Sequence, residues 1–196
     1  TDELQLLETL QQGGNFALTV KPAKIRNSPG SKNLAGILTK KLEPPKSDLA
    51  FAAIPSIRFF DGRGANKPWL CEIPDPLSRI AWQTPIFLNS KTAGANGLNQ
   101  EDIIELQSEF GKLEAVVYVS ELVNPGLAVM SIGQGHTAYG RYAKDAGVNP
   151  IQLLSANVDP DSGGASLNVA DVIIKKTGRT QKLASTSGSL TQHGRT

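Results

Sequence analysis

The sequence predicts a mainly β fold with short helices, in which about six strands close, or nearly close, into a barrel. Short apolar segments recur from residue 82 onward, turn residues separate them roughly every 8 to 15 residues, and a few small helices lie between them. Closure of the sheet would remove the edges that so many short strands otherwise expose. An irregular N-terminal arm is expected to precede the barrel.

The N-terminal residues predict a short helix followed by this arm. Residues 2–11 place leucines on one face, with acidic residues in the first turn and glycines directly after the end. Residues 15–20 favour a strand, whereas residues 21–48 have few apolar residues and many Pro, Gly, Ser and Lys. We therefore expect an arm over 1–48 and a β-rich domain over 49–196.

Within the β-rich domain, each element follows from an apolar run bounded by turn residues. Strands are predicted at residues 49–57, 86–88, 103–107, 113–119, 127–132, 169–175 and 182–186. Helices are predicted at residues 90–95, with Ser90 as the cap, more weakly at 139–146, and from Pro150 onward, with Pro at the first helical position.

Composition and charge exclude several classes of function. Hydrophobic residues make up 39% and charged residues 19%, and the net charge is +2 with both signs interspersed. Such a balance gives no large positive field, so nucleic acid is not an expected partner. The longest apolar run, at 49–57, is too short to span a bilayer and contains Pro55, so we expect no direct membrane insertion.

Cysteine and histidine are too few for a redox centre. Cys71 is alone, so an internal disulfide and an iron–sulfur cage are excluded, and only two histidines accompany it. No Gly-x-Ser-x-Gly nucleophile motif occurs either. The chain by itself is therefore not predicted to be catalytic. Because it shows no signal peptide and begins at Thr1 without a Met, we expect it to be part of a longer protein.

The loop after residues 127–132 is the first candidate site. The apolar run ends at Gly133, and glycines, His136 and Arg141 follow within a few residues. Glycines permit positive φ and close backbone approach, and successive N–H groups with a guanidinium suit a phosphate-bearing ligand. The alternative is a surface turn with one buried His. His136 is more readily a hydrogen-bond donor than a base, since no carboxylate lies near it in sequence.

A second polar loop, at residues 58–70, combines Arg58, Arg63 and Asn66 with Phe and Trp. It is either a ligand-facing loop with aromatic anchors or a loop packed by its aromatic rings, with its charges in water. Asn149 is similarly open to two interpretations, a ligand contact or the cap of the helix that begins at Pro150, and we favour the cap.

Residues 82–89, 92–93, 97–106 and 110–111 resemble the opening of the molybdopterin-dinucleotide-binding domain at the C-terminus of the DMSO-reductase family. Ser90 stands where that family usually has Pro, and residues 100–102 replace its acidic glycine turn. Residues 133–142 with 147–150, together with 61–70 and 74–76, look like the subgroup of polysulfide and tetrathionate reductases and alternative complex III. The tail, residues 188–195, is similar to that of alternative complex III.

The resemblance covers about residues 50–196 and implies a six-stranded double-psi β-barrel. In the family this domain closes over the pterin and one guanine-nucleotide arm of a bis(molybdopterin guanine dinucleotide) cofactor, bis-MGD. The cofactor-binding residues expected on that basis are Arg58, Arg63, Asn66, Gly133, Gln134, Gly135, His136, Gly140, Arg141 and Asn149. No metal ligand is expected, because the family's metal-ligating residue and any iron–sulfur cluster lie in its N-terminal part.

The resemblance also implies an oxidoreductase as the whole protein, on the periplasmic side of the bacterial inner membrane. Expected partners are N-terminal domains of the same polypeptide and iron–sulfur and membrane-anchor subunits. A second hypothesis is a cofactor-free structural domain in a quinol-oxidising assembly, because alternative complex III carries no molybdenum cofactor in the corresponding region.

Overall fold

The structure is a computed structural model that describes residues 3–13, 47–160 and 162–187, without the side chains of 168–170. The chain divides into two units, residues 1–43 and 44–196, which are described separately. The strand predicted at 15–20, most of the predicted arm and the tail from 188 onward lie outside the described residues, and the boundary predicted at 48/49 stays a prediction.

In the first unit, the predicted N-terminal helix is confirmed as α1, Glu3–Gln11. Its leucines, Leu4, Leu6, Leu7 and Leu10, are exposed.

The second unit is built on one mixed β-sheet, which confirms a mainly β fold with short helices. Its strands are β1 (Ala50–Ile54), β2 (Ile86–Leu88), β3 (Asp102–Gln107), β4 (Lys112–Val119), β5 (Leu127–Ser131), β6 (Asn168–Asp171) and β7 (Ile173–Thr180). Their order across the sheet is β6-β1-β5-β2-β4-β3-β7. The pairs β1–β5 and β2–β4 are parallel, and the other neighbours are antiparallel.

The core is formed by alternate residues of the strands. Residues that point to the same face of a strand recur with period two, so each strand contributes every second side chain. The inward members include Phe51 of β1, Leu88 of β2, Leu106 of β3, Val117 of β4 and Met130 of β5, all fully buried in one cluster. Burying a side chain of this size contributes about 1.5–3 kcal/mol.

The two outermost strands of the sheet are neighbours in the chain. β6 pairs with β1 and β7 pairs with β3, yet only Val172 separates β6 from β7. A single segment, residues 168–180, thus pairs with β1 at one end of the sheet and with β3 at the other. Counted as one interrupted strand, this segment makes the sheet six-stranded.

The helices of the second unit are short. They are α2 (Pro68–Glu72), α3 (Ser90–Ala95) and a 3₁₀ helix (Pro150–Leu153). The cap of α3 is Asn89, whose side chain accepts from the Lys91 N–H at 3.0 Å, so the prediction of Ser90 as the cap was wrong by one residue. Asn89 also donates to Val123 O at 2.9 Å, which ties the helix start to the following loop. Among the described residues, no helix is long and apolar enough to cross a membrane.

Two predicted elements are absent from the described residues. Residues 139–146 form turns instead of a weak helix, because Tyr139 and Gly140 have φ of 70° and 92°, which a right-handed helix excludes. Residues 182–186 form no strand beyond an isolated pairing of Ser185 with Ile80. The strand before them is instead longer than predicted, since a bulge in its pairing with β3 accommodates the positive φ of Gly178.

Asp102 at the start of β3 is a buried carboxylate that ties β3 to β7. Its Oδ2 accepts from the Asn99 N–H at 2.8 Å and pairs with Lys176 Nζ at 2.9 Å. The hydrogen bond from the Asn99 N–H and then the one from Lys176 lower the pKa of Asp102. A pKa lowered on folding stabilises the protein above the unfolded value of about 3.9, and this stability is lost as pH falls through the folded value.

We therefore expect Asp102→Asn to lower the free energy of unfolding by about 2 kcal/mol at neutral pH. The difference from wild type should shrink as the pH falls below about 4, where the unfolded wild-type chain binds the proton, and vanish once the pH passes the lowered folded pKa, where the native carboxylate is protonated as well. Urea unfolding at several pH values measures this. The control is Glu114→Gln, which breaks the exposed Glu114–Arg179 pair and should cost less than about 1 kcal/mol. A pH-independent difference at position 102 would contradict the assignment.

Candidate functional site

The glycine-rich loop begins directly after β5 and has an inner half that packs on the protein. Gly135 has φ of 81°, and a Cβ at this position would overlap the backbone of Val148 and Asn149. Gly133 likewise packs on Phe59, where a Cβ would lie 2.8 Å from the Phe59 Cβ. Both glycines are therefore required by the fold itself.

Gln134 lies between these glycines, and its amide is used inside the protein. The side chain is buried; its Oε1 accepts from Thr84 Oγ1 at 2.7 Å, and its Nε2 donates to Trp82 O at 3.0 Å. Thr84 Oγ1 in turn accepts from the Val148 N–H at 3.3 Å. This network holds the start of the loop to the segment before β2, so Gln134 acts here as a brace.

The outer half of the loop is exposed and has unused hydrogen-bond donors. Residues 137–142 are exposed, and the backbone N–H groups of 137–141 donate no hydrogen bond to the described part of the chain. Arg141 stacks over the Tyr142 ring at 5.5 Å and makes no hydrogen bond or ion pair with the described residues. A run of free N–H groups beside a guanidinium provides what a phosphate requires.

The second polar loop lies against this outer half. Asn66 Oδ1 accepts from the Tyr142 N–H at 2.9 Å, and Tyr139 Oη donates to Arg63 O at 2.9 Å. A Cβ at Gly140 would overlap the Asn66 side chain. The structure thus brings together two loops that are more than 60 residues apart in the sequence. Asn66 therefore serves the contact between the two loops, with its NH₂ group against Gly140.

Arg63 is exposed, but an aspartate neutralises it. Its guanidinium donates to both oxygens of Asp61, at 2.9 and 2.7 Å, and lies 5.1 Å from the centre of the Phe60 ring. The hydrogen bond from the Arg63 side chain lowers the pKa of Asp61 to about 2, so the pair stays ionised at physiological pH. Arg63 therefore offers a stacked planar surface with little net charge.

His136 lies between the two loops with an unsatisfied ring nitrogen. Its Nε2 is buried and has no hydrogen-bond partner among the described residues. A Cβ at Gly62 would lie 3.1 Å from this atom, and the Tyr139 ring is 5.2 Å from the imidazole. A buried nitrogen without a partner costs about 1–3 kcal/mol, so a ligand atom that bonds to it would gain affinity.

Two of the predicted residues are used elsewhere. Arg58 turns away from the loop: its Nη1 donates to Ile73 O at 2.9 Å, and burial lowers its pKa. Asn149 caps the 3₁₀ helix, where its side chain accepts from the Ile151 N–H at 3.1 Å, in agreement with the cap that the sequence favoured. No group of three or more His, Cys, Asp or Glu in the described ranges could hold a metal ion.

Sequence reasoning missed Thr84 and the Trp82 carbonyl, which anchor the loop through Gln134. Thr84 precedes β2 and lies 50 positions before its partner, and nothing in the local sequence signals the pairing. The role of Tyr139 as a donor to the other loop was also missed, because a loop tyrosine by itself indicates only packing.

Residues 75–170 match the family described as "Molydopterin dinucleotide binding domain". The chain is 34% identical over 141 residues to the "Menaquinone reductase, molybdopterin-binding-like subunit" of Nitratidesulfovibrio vulgaris (strain Hildenborough), covering 68% of this chain and 20% of that protein. It is 37% identical over 92 residues to the "Arsenate respiratory reductase molybdopterin-containing subunit ArrA" of Shewanella sp. (strain ANA-3), covering 46% of this chain and 11% of that protein.

Among solved structures, acetylene hydratase from Pelobacter acetylenicus aligns with 85% of this chain and 22% of its own, at 16% identity and a TM-score of 0.48. The chain therefore spans at most about a fifth of the curated relatives described above.

Proposed function

Since residues 75–170 of this chain belong to the molybdopterin dinucleotide-binding domains of the DMSO-reductase family, we propose that the exposed half of its glycine loop binds the guanine-dinucleotide arm of a bis-MGD cofactor. The observation that carries the proposal is the run of unused N–H donors at 137–141 beside Arg141. These donors belong to exposed residues within the matched range, a suitable position for an anionic pyrophosphate.

The donor chemistry fits such a ligand. Backbone N–H groups and a guanidinium form charge-assisted hydrogen bonds with phosphate oxygens, and Arg can do so through two parallel bonds. When bound, the cofactor supplies the redox chemistry, while this chain binds and orients it. His136 Nε2 offers one further hydrogen bond at the inner end, and Arg63 offers a flat surface for stacking.

The inner residues have a supporting role in this proposal. Gln134 and the two glycines beside it fix the direction in which the loop leaves β5, and the Asn149 cap fixes the segment that packs on Gly135. These residues position the loop, and the outer residues contact the ligand.

The closure of the sheet is part of the same proposal. We propose that the sheet closes into a barrel of the double-psi type, with residues 168–180 as the closing strand. The pairing of this segment with both β1 and β3 supports closure, because a single short segment can reach both strands only if they lie near each other.

The curated relatives are several times longer than the aligned part of this chain, so N-terminal domains of the same polypeptide are proposed to supply the rest of the cofactor site. Iron–sulfur and membrane-anchor subunits, and a position on the periplasmic face of the bacterial inner membrane, are proposed on the same family basis. The domain itself is proposed to contribute binding and no catalytic residue.

A second candidate is a cofactor-free structural domain in an assembly like alternative complex III. One relative, 34% identical, is named a "molybdopterin-binding-like" subunit of a menaquinone reductase, which favours this candidate. The packing of Gly133 and Gly135 on the protein also favours it, because glycines required by the fold would persist in a domain that had lost its ligand.

The Arg141→Ala variant of the full-length protein tests the proposal. We expect the guanine nucleotide that acid treatment releases from the purified protein to fall about tenfold or more, because a charge-assisted phosphate contact is lost. The melting temperature should stay within about 1–2 °C, because Arg141 is exposed and makes no hydrogen bond or ion pair with the described residues beyond its stacking on the Tyr142 ring.

Lys144→Ala is the matched control, since Lys144 is an exposed cation of the same loop that lies beyond the free N–H groups. It should retain the nucleotide. Wild-type protein that releases neither molybdenum nor guanine nucleotide would overturn the cofactor proposal and support the structural candidate.

A further inference from the structure

The outer face of α2 carries two large apolar side chains that are left exposed. Trp69 is 59% exposed and Ile73 is 49% exposed. They are four residues apart, and the Ile73 N–H donates to Trp69 O at 3.1 Å, so one helical turn brings both side chains to the same side. Cys71, on the opposite side, is fully buried. α2 therefore has one face packed in its own domain and an apolar face in solvent.

Trp82 adds a second exposed aromatic side chain on the neighbouring main chain. Its N–H donates to Cys71 O at 3.0 Å, and its carbonyl accepts from Gln134 Nε2 at 3.0 Å. Its φ of 61° is unfavourable for a residue with a bulky side chain, and these two hydrogen bonds hold it in that conformation. The side chain is 41% exposed. Backbone outliers of this kind concentrate at functional positions, which directs attention to what lies against this surface.

The surface is rigid, because Arg58 fixes the end of α2. The Arg58 Nη1 donates to Ile73 O at 2.9 Å and to Cys71 O at 3.4 Å. Gly64 packs beside the helix, since a Cβ there would lie 2.9 Å from Leu70 Cδ1. A tryptophan has only two side-chain torsions to order on binding. A fixed helix that presents such a side chain loses little conformational entropy when a partner covers it.

The charges around α2 are balanced. Residues 66–73 contain one cation, Lys67, and one anion, Glu72, and both are exposed. Nucleic acid or an anionic membrane surface would require an excess of cations. An exposed tryptophan beside an aliphatic side chain, with little net charge around them, fits an apolar protein surface instead.

The position of α2 in the chain indicates which protein surface this is. α2 directly follows the 58–66 loop, which contacts the glycine loop, and it precedes residue 75, where the matched range begins. The cofactor is proposed to be held mainly by N-terminal domains, and those domains would have to meet this domain around the two loops. The aligned part of this chain covers 20% of the menaquinone reductase subunit, so about four-fifths of that relative's length is available for such domains.

We propose that the outer face of α2 is a docking surface for the N-terminal part of the same polypeptide, with Trp69 at its centre and Ile73 and Trp82 beside it. This rests on the proposed function, which assigns the upstream domains to the same chain. Docking there also positions the 58–66 loop, because Arg58 joins the start of that loop to the end of α2.

The first test places a photoreactive benzophenone amino acid at position 69 of the full-length protein. After irradiation, mass spectrometry of the digest should find a cross-link to a residue that precedes Thr1 in the same polypeptide. Mixing ¹⁵N-labelled with unlabelled protein identifies links between two copies. A cross-link to a second copy, to another subunit or to lipid, or no cross-link, would overturn the proposal.

Leu122 is the matched control position, because its side chain is 76% exposed on the turn after β4. We expect no upstream cross-link from it, and an equal yield from positions 69 and 122 would also overturn the proposal. Guanine nucleotide is measured on the same samples. Nucleotide-bearing protein without the cross-link would refute the docking surface alone, whereas cross-linked protein without nucleotide would refute the cofactor proposal alone.

The second test is Trp69→Ala in the full-length protein, followed by limited proteolysis. We expect cleavage between the upstream domains and this one to become about tenfold faster, because the undocked state is populated more often. Trp69→Phe keeps an aromatic ring and should restore most of the resistance, and Leu122→Ala should cleave at the wild-type rate. An unchanged rate in Trp69→Ala would contradict the proposal.

Discussion

Gly135→Ala should lower the free energy of unfolding by about 3–5 kcal/mol, which for a single methyl group is exceptional. Two costs add at this position. The φ of 81° is strained for any L-residue, and the new Cβ would overlap the backbone of Val148 and Asn149, which cannot move aside as a flexible side chain can. Urea unfolding followed by circular dichroism measures the loss.

Gly97→Ala separates these two costs. Gly97 has φ of 62°, but a Cβ there would meet nothing within 4 Å. This control should therefore lose only about 1–2 kcal/mol, from the backbone conformation alone. Equal losses at positions 97 and 135 would mean that the contact between the loop and residues 148–149 is not as tight as the structure has it.

Gln134→Ala should cost about 2–4 kcal/mol, because it removes a buried side chain and leaves the Thr84 hydroxyl proton and the Trp82 carbonyl unpaired. The Thr84 hydroxyl loses its acceptor, and the Trp82 carbonyl loses its donor. Chemical unfolding measures the loss, and Gln181→Ala provides the control, since that exposed side chain makes no hydrogen bond with the described residues and should cost less than about 0.5 kcal/mol.

The same variant distinguishes a brace from a ligand contact. At a temperature where Gln134→Ala remains folded, the full-length variant should retain most of its guanine nucleotide, in contrast to Arg141→Ala. Loss of nucleotide at unchanged stability would return Gln134 to the set of cofactor-binding residues that the sequence suggested.

The sequence predicted the regular elements well where one physical signal determined them. β2 and α3 have the predicted bounds, because an apolar triplet and a small-residue helix each lie between clear turn residues. Elements that depend on distant partners were missed. The long β7 exists because it pairs with β3. The helix predicted at 139–146 does not form because Tyr139 and Gly140 both have positive φ, and the amino-acid composition of this segment does not indicate that conformation.

For the site, the sequence found the two loops but could not divide their residues by role. Gln134 and Arg141 look equally polar in the sequence, and only the fold shows that one is buried against Thr84 while the other faces solvent. The neutralisation of Arg63 by Asp61 was equally unforeseen, although the two are only two residues apart, because the local spacing does not determine side-chain direction. Both the burial of a side chain and its direction depend on the tertiary structure.

The placement of residues 168–180 bears on how this domain is made. On a ribosome, β1 to β5 emerge first, and both β1 and β3 would then lack one neighbour until this later segment arrives to pair with them. Translation that stops before residue 168 would leave two strands with unpaired backbone N–H and C=O groups on one molecule. Such a nascent chain would be prone to aggregation and would need chaperones.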